Sequence, residues 1–211
     1  MPPQQQPPPF QSFIREGPGW ETISNDLQYA NPYLQVFLTR VRTPSRPDGV
    51  PWTVLHRKAG AVIAPMTPDG RLLLIRQERI PLRAALWEFP AGQIDDPPGP
   101  DNDAHIRATA CRELREETGY ELAPGGELIP MGCFFSSPGF TDEHCYIFLA
   151  RPVIPSAAGP SHDENESIQE CRPFTVAELR RMIAENEIRD ANTLSAFARM
   201  WVLGLIPGNP G

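Results

Sequence analysis

The sequence predicts an α+β fold built on a mixed sheet. Short apolar and β-branched runs recur along the chain, bounded by Pro, Gly, Asp or Asn. Helical signals are confined to residues 104–118, 176–186 and 191–205. Strands therefore dominate, helices punctuate them, and there is no internal repeat.

The elements follow in order. Residues 2–9 are Pro and Gln only, so 1–15 reads as a disordered or extended leader. Residues 16–58 form a small β-rich lobe with strands at 20–23, 33–41 and 52–56, the stretch 42–49 being a turn. Residues 59–207 form the main domain. Within it, 60-GAVIAPM-66 and 71-RLLLIRQ-77 flank 67-TPDG-70 and predict a β-hairpin. A strand is expected at 86–89. The segment 95-DDPPGPDND-103, with three prolines, excludes regular structure. A helix over 104–118, stopped by Gly119, follows, then strands near 127–135 and 145–150. The stretch 155–167 is a polar loop. Thr175 and Glu178 have capping-box spacing and open a helix over 176–186, and a last helix covers 191–205.

The chain has 211 residues, a formal charge of −7 and a pI near 5.1. That balance argues against a general nucleic-acid binder and against an anionic membrane surface as partner. No apolar run is long enough to span a bilayer, and MPPQQQPPPF lacks the features of a signal peptide. The expected compartment is the cytoplasm. Cys111, Cys133, Cys145 and Cys171 are widely spaced with no C-x-x-C pair, so they read as small buried thiols rather than disulfides or metal ligands.

The run 111-CRELREETGY-120 carries the chemistry. At about 100° per residue, Glu113, Glu116 and Glu117 fall in one arc bordering the buried face, next to that of Ala110, Cys111, Leu114 and Thr118. Arg112 can pair with Glu116, which would leave a solvated face with one salt bridge. But three acids near a helix C-terminus repel one another and oppose the dipole. A hard divalent cation resolves both conflicts, and oxygen ligands suit Mg²⁺ or Mn²⁺.

The run 112-RELREETGY-120, preceded by 88-EFPAGQID-95, resembles the signature of the Nudix hydrolases. The REL-x-EE-TG half matches, with Tyr120 at the final aliphatic position. Two departures stand beside it. The family pattern places about 14 positions between its first Gly and the Arg, whereas Gly92 to Arg112 is 20, an excess of about six. The position of the family's first Glu falls at Ala104, next to Asp103, so altered loop packing is expected there rather than lost catalysis.

Outside this run, 75-IRQERIP-81, 136-SSPGFTDEH-144, 163-DENESI-168 and 185-ENEIRDANTLSAFARMW-201 resemble the ADP-ribose and sugar-nucleotide pyrophosphatase branch. The resemblance implies a Nudix fold, a mixed sheet between helices, and Mg²⁺- or Mn²⁺-dependent hydrolysis of a nucleoside diphosphate sugar. It implies metal ligation by Glu113 and Glu117, with Glu116 sharing or orienting an ion and acting in catalysis, and by the Ala91 carbonyl. Gly92 would present that carbonyl through unusual backbone angles. Arg79 would contact the diphosphate as a fork-shaped donor. Arg57, Gln93, Glu143 and Trp52 would bind substrate, Glu143 at the ribose. Trp52 either stacks on adenine or belongs to the core.

On composition alone 163–168 is a solvated loop; the resemblance makes Glu164 or Glu166 the general base. It also implies a homodimer exchanging its N-terminal lobes. The rival readings are another Nudix substrate, such as GDP-mannose or a dinucleotide, and a Nudix-fold binding domain without hydrolysis.

Overall fold

A computed structural model describes residues 16–94, 103–162 and 166–207. Strands β1 (Glu21–Ala30), β2 (Leu34–Thr43) and β3 (Arg46–Arg57) form an antiparallel sheet in that order. The expected turn over 42–49 is tighter than predicted, because Thr43 pairs directly with Arg46.

The main domain carries β4 (Gly60–Pro65), β5 (Leu72–Arg79), β6 (Ala84–Glu88), β7 (Ala91–Gln93), α1 (Asp103–Thr118), β8 (Tyr120–Phe135), β9 (His144–Pro155), β10 (Ile168–Phe174), α2 (Val176–Ala184) and α3 (Ala191–Val202). Two further sheets have the orders β10-β5-β6 and β7-β4-β9-β8, with β4 parallel to β9. Alternate side chains of β4 and β5 serve two cores. Val62, Ala64, Leu72 and Leu74 pack with Leu179 and Met182 of α2 and with Ala196, Phe197 and Met200 of α3. Ala61, Ile63 and Leu73 pack with Ile106, Ala110 and Leu114 of α1. The strands thus lie between helices, as a mixed sheet with two covered faces requires.

The predicted hairpin at 67–70 is corrected. Its turn forms: Thr67 N–H donates to Arg71 O at 2.8 Å, and Gly70 takes φ +80°. The ladder ends after the single bridge Met66–Leu72. β4 gives its two edges to β7 and β9, and β5 gives its own to β10 and β6. A strand buried on both faces needs neighbours on both edges, and these two divide between sheets. The sequence reading also missed β10, whose polar pattern and Pro173 suit an edge strand. Thr175 and Glu178 do form the capping box of α2, and Gly119, at φ +71°, ends α1.

Two further corrections concern α1 and the thiols. The buried face of α1 comprises Ile106, Thr109, Ala110, Glu113, Leu114, Glu117 and Thr118. Two of the three acids therefore lie in the middle of that face rather than at its border, and Cys111 is exposed rather than buried. Among the described residues no helix is long and apolar enough to cross a membrane.

Candidate active site

Glu113 and Glu117 are one helical turn apart, so α1 presents both carboxylates inward. Only 4% and 1% of these residues is exposed. Glu117 Oε2 accepts the Ala91 N–H at 2.7 Å, which ties the helix to β7. Beside it, Gly92 meets Glu113 so closely that an added methyl would overlap the carboxylate carbon and both oxygens. Gly92 is a strand residue outside the left-handed region, so the site needs it for space, which corrects the expectation of unusual dihedrals.

A third carboxylate arrives from far along the chain. Ser161 N–H donates to Glu116 O at 2.9 Å, and His162 Nε2 lies 3.3 Å from Glu117 O, so 161–162 is strapped to the end of α1. Further on, Ser167 O accepts the Glu78 N–H at 2.9 Å and Ser167 Oγ donates to Glu78 Oε2 at 2.8 Å. Between these anchors, Glu166 brings a carboxylate oxygen into a group with Glu113 and Glu117 whose ligand atoms all lie within 4.8 Å of one another.

Electrostatics oppose this cluster in the protein alone. Burial pushes the Glu113 carboxyl up to about 7; Arg112 offsets part of this, while Glu166 and Glu116 add to it. Burial also raises Glu117 well above the ordinary carboxylate range, against the Ala91 hydrogen bond and with help from Glu113 and Glu166. Three converging hard oxygen donors, two of them unfavourable as bare anions, fit a divalent cation.

Glu116 lies outside that trio. Arg112 bridges it to Glu113, with Nη2 2.6 Å from Glu113 Oε1 and Nη1 2.7 Å from Glu116 Oε2, and Arg115 lies 3.6 Å from it. The expected Arg112–Glu116 pair is thus present, alongside the buried cluster.

A cleft of about 490 Å³ opens beside the cluster, with Ala91, Gly92 and Gln93 forming part of its wall. Arg57, Arg79 and Glu143 line it, so five of the predicted residues meet there. Lys58, Glu88, Arg189 and Asp190 also line it and were missed from the sequence. Glu88 is the informative omission. It ends β6 almost fully buried, and both of its oxygens accept Arg79 Nε at 3.0 Å. Burial raises its pKa against the opposing pull of Arg79. An acid at the end of the apolar run 86-LWEF-89 was the available signal. Asp190 caps α3, accepting Thr193 N–H at 2.8 Å; Thr193 Oγ1 in turn accepts the Phe89 N–H at 2.8 Å, fixing α3 against this wall.

Trp52 is elsewhere. It is 53% exposed, so the core alternative is corrected, and its Nε1–H donates to Gly139 O at 2.8 Å. It lines a second cavity, about 700 Å³, with Trp20, Phe37 and His56 against the N-terminal sheet. Glu164 lies outside the described residues, as do residues 95–102 of the proline-rich segment.

A sequence profile of the NUDIX domain matches residues 55–197, which contain the acidic helix, the cleft and all three converging carboxylates. The chain belongs to the Nudix family. Its Nudix relatives include an ADP-ribose pyrophosphatase of Bacillus subtilis (strain 168), 30% identical over 176 residues, 83% of this chain and 89% of that protein. A methanol dehydrogenase activator of Bacillus methanolicus is 31% identical over the same shares. A crystal structure of an ADP compounds hydrolase superposes with a TM-score of 0.68 at 19% identity, covering 91% of this chain and 98% of that one. At that identity the likeness establishes the Nudix fold alone.

Proposed function

We propose that this Nudix hydrolase splits the diphosphate linkage of ADP-ribose, or of a closely related nucleoside diphosphate sugar, into two monophosphates. The observation that carries the reading is the trio of Glu113, Glu117 and Glu166 beside a cleft lined by Arg57, Lys58, Arg79 and Arg189. Acids beside a cleft whose wall carries cationic groups suit a dianionic diphosphate only when the acids are neutralised. The similarity to an ADP-ribose pyrophosphatase over most of both chains supports the choice of substrate.

Glu113, Glu117 and Glu166 would hold Mg²⁺ or Mn²⁺, with the Ala91 carbonyl as a further ligand beside the Glu117 anchor. Such an ion supplies phosphate charge neutralisation and makes a water easier to deprotonate. Arg79, aimed by the buried Glu88, holds the diphosphate. Glu116, coupled to Glu113 through Arg112, orients the cluster. Glu166 or Glu164 takes the proton from the attacking water. The water oxygen bonds to one phosphorus, and the bridging oxygen leaves with the other phosphate carrying the electron pair. Gln93 and Glu143 contact the sugar portion from the cleft wall.

A panel of ADP-ribose, GDP-mannose and NADH, each with Mg²⁺ or Mn²⁺, tests this by chromatography of the products. AMP and ribose 5-phosphate from ADP-ribose, without release of inorganic phosphate, are expected. Binding of ADP-ribose with Mg²⁺ but no monophosphate would replace the enzyme by a binding domain.

We further propose a homodimer in which the N-terminal sheet packs on a second copy. Trp20 and Trp52, each more than half exposed beside the 700 Å³ cavity, support it, because aromatic faces of this size are seldom left to water. Trp52 would reach adenine only through such an assembly. Sedimentation velocity should give a species of twice the chain mass; a monomer at micromolar concentration would refute it.

A further inference from the structure

The segment 140–142 runs beside β3 and joins it through a single parallel bridge. Leu55 N–H donates to Phe140 O at 2.8 Å, and Leu55 and Thr141 form a bridge. Successive side chains of an extended segment point to opposite sides. His56 and Asp142 accordingly line the cavity of the N-terminal sheet, whereas Arg57 and Glu143 line the cleft.

On the first side, Asp142 is buried, with 7% of the residue exposed, and both its oxygens are engaged. Oδ2 is 2.6 Å from His56 Nδ1, and Oδ1 accepts the Arg57 backbone N–H at 3.1 Å. The Phe37 ring meets His56 edge-on with centroids 5.0 Å apart, fixing the imidazole from behind. On the other side, Arg57 Nη1 is 2.7 Å from Glu143 Oε1, and Ser136 Oγ donates to Glu143 Oε2 at 2.6 Å.

A buried carboxylate bonded to the imidazole of one residue and the amide of the next fixes both the separation and the register of the two segments. We propose that His56 and Asp142 are a positioning pair that works through the strand: by locking 142 onto β3, they set the side chains of Arg57 and Glu143 at the wall of the cleft. The inference rests on the reading that the cleft binds a nucleoside diphosphate sugar, and it adds residues that never touch that substrate. Its effect falls on binding, since Arg57 and Glu143 line the cleft and neither belongs to the acidic cluster.

Steady-state kinetics on ADP-ribose with Mg²⁺ tests it. Asp142→Ala and His56→Ala should each raise KM about tenfold while kcat stays within about threefold. His56→Asn, whose amide N–H can stand where the ring Nδ1–H stood, should restore most of the lost affinity, and it also serves if the alanine variants fold poorly. In a Glu143→Gln background, His56→Ala should add less than about twofold, because the two act as one unit. Unchanged KM with a lowered melting temperature, or multiplicative losses in the double variant, overturns the inference. If the wild-type protein hydrolyses none of the compounds, the substrate reading itself fails and takes the inference with it.

Discussion

Glu117→Gln should lower kcat by about a thousandfold or more while making the metal-free protein more stable at pH 8. The amide oxygen of Gln can still accept the Ala91 N–H that Glu117 Oε2 accepts at 2.7 Å, so the link between helix and strand survives. What disappears is a carboxyl in a residue that is 1% exposed, whose pKa burial raises well above the ordinary range.

The pH dependence follows from the same shifts. Glu113 has an ordinary value of 4.5 and is raised to about 7 in the folded chain. Between those values the unfolded chain has released a proton that the folded chain retains, so stability falls as pH rises. The wild-type protein in chelator should therefore lose melting temperature from pH 5 to pH 8, and Glu117→Gln should lose less and lie about 3 °C higher at pH 8. Mg²⁺ should stabilise the wild type more at pH 8 than at pH 5, because it binds the ionised carboxylates. A variant equal to wild type in turnover, or a wild-type protein whose chelated form gains stability over this range, contradicts the account. The site would be an instance of stability given up for function.

Gly92→Ala should cost activity far more than stability. The three atoms nearest the added methyl all belong to the end of the Glu113 side chain, which can swing where backbone cannot, and the melting temperature should fall by only about 3 °C. The carboxylate, however, sits on a buried face with 4% exposure and is held by Arg112. Turning aside takes it out of the group it forms with Glu117 and Glu166. A kcat loss of about a hundredfold is expected. Glu113→Gln in the same background should add little further loss, because the methyl has already removed that ligand. Retention of wild-type turnover by Gly92→Ala would show that Glu113 is not needed where it stands.

Much of this site was legible in the chain because its signals are local. Helical spacing alone puts Glu113 and Glu117 on one side of α1; the capping box at Thr175 and Glu178 and the stop at Gly119 are read from a few neighbouring residues. The run 112-RELREETGY-120 identified the family. Sequence alone did not reveal how deeply the acids are buried, that β4 and β5 part into different sheets, or that Gly92 serves for space. Nor did it pair Glu88 with Arg79, strap Glu166 to the end of α1 through 161–162, or separate Trp52 from the cleft. Helix periodicity and turn chemistry act over a few residues and are written in order along the chain. Which strand edge finds which partner, and which charge is taken out of water, depends on packing between segments as much as a hundred residues apart, as between Phe89 and Thr193, and only the folded chain decides it.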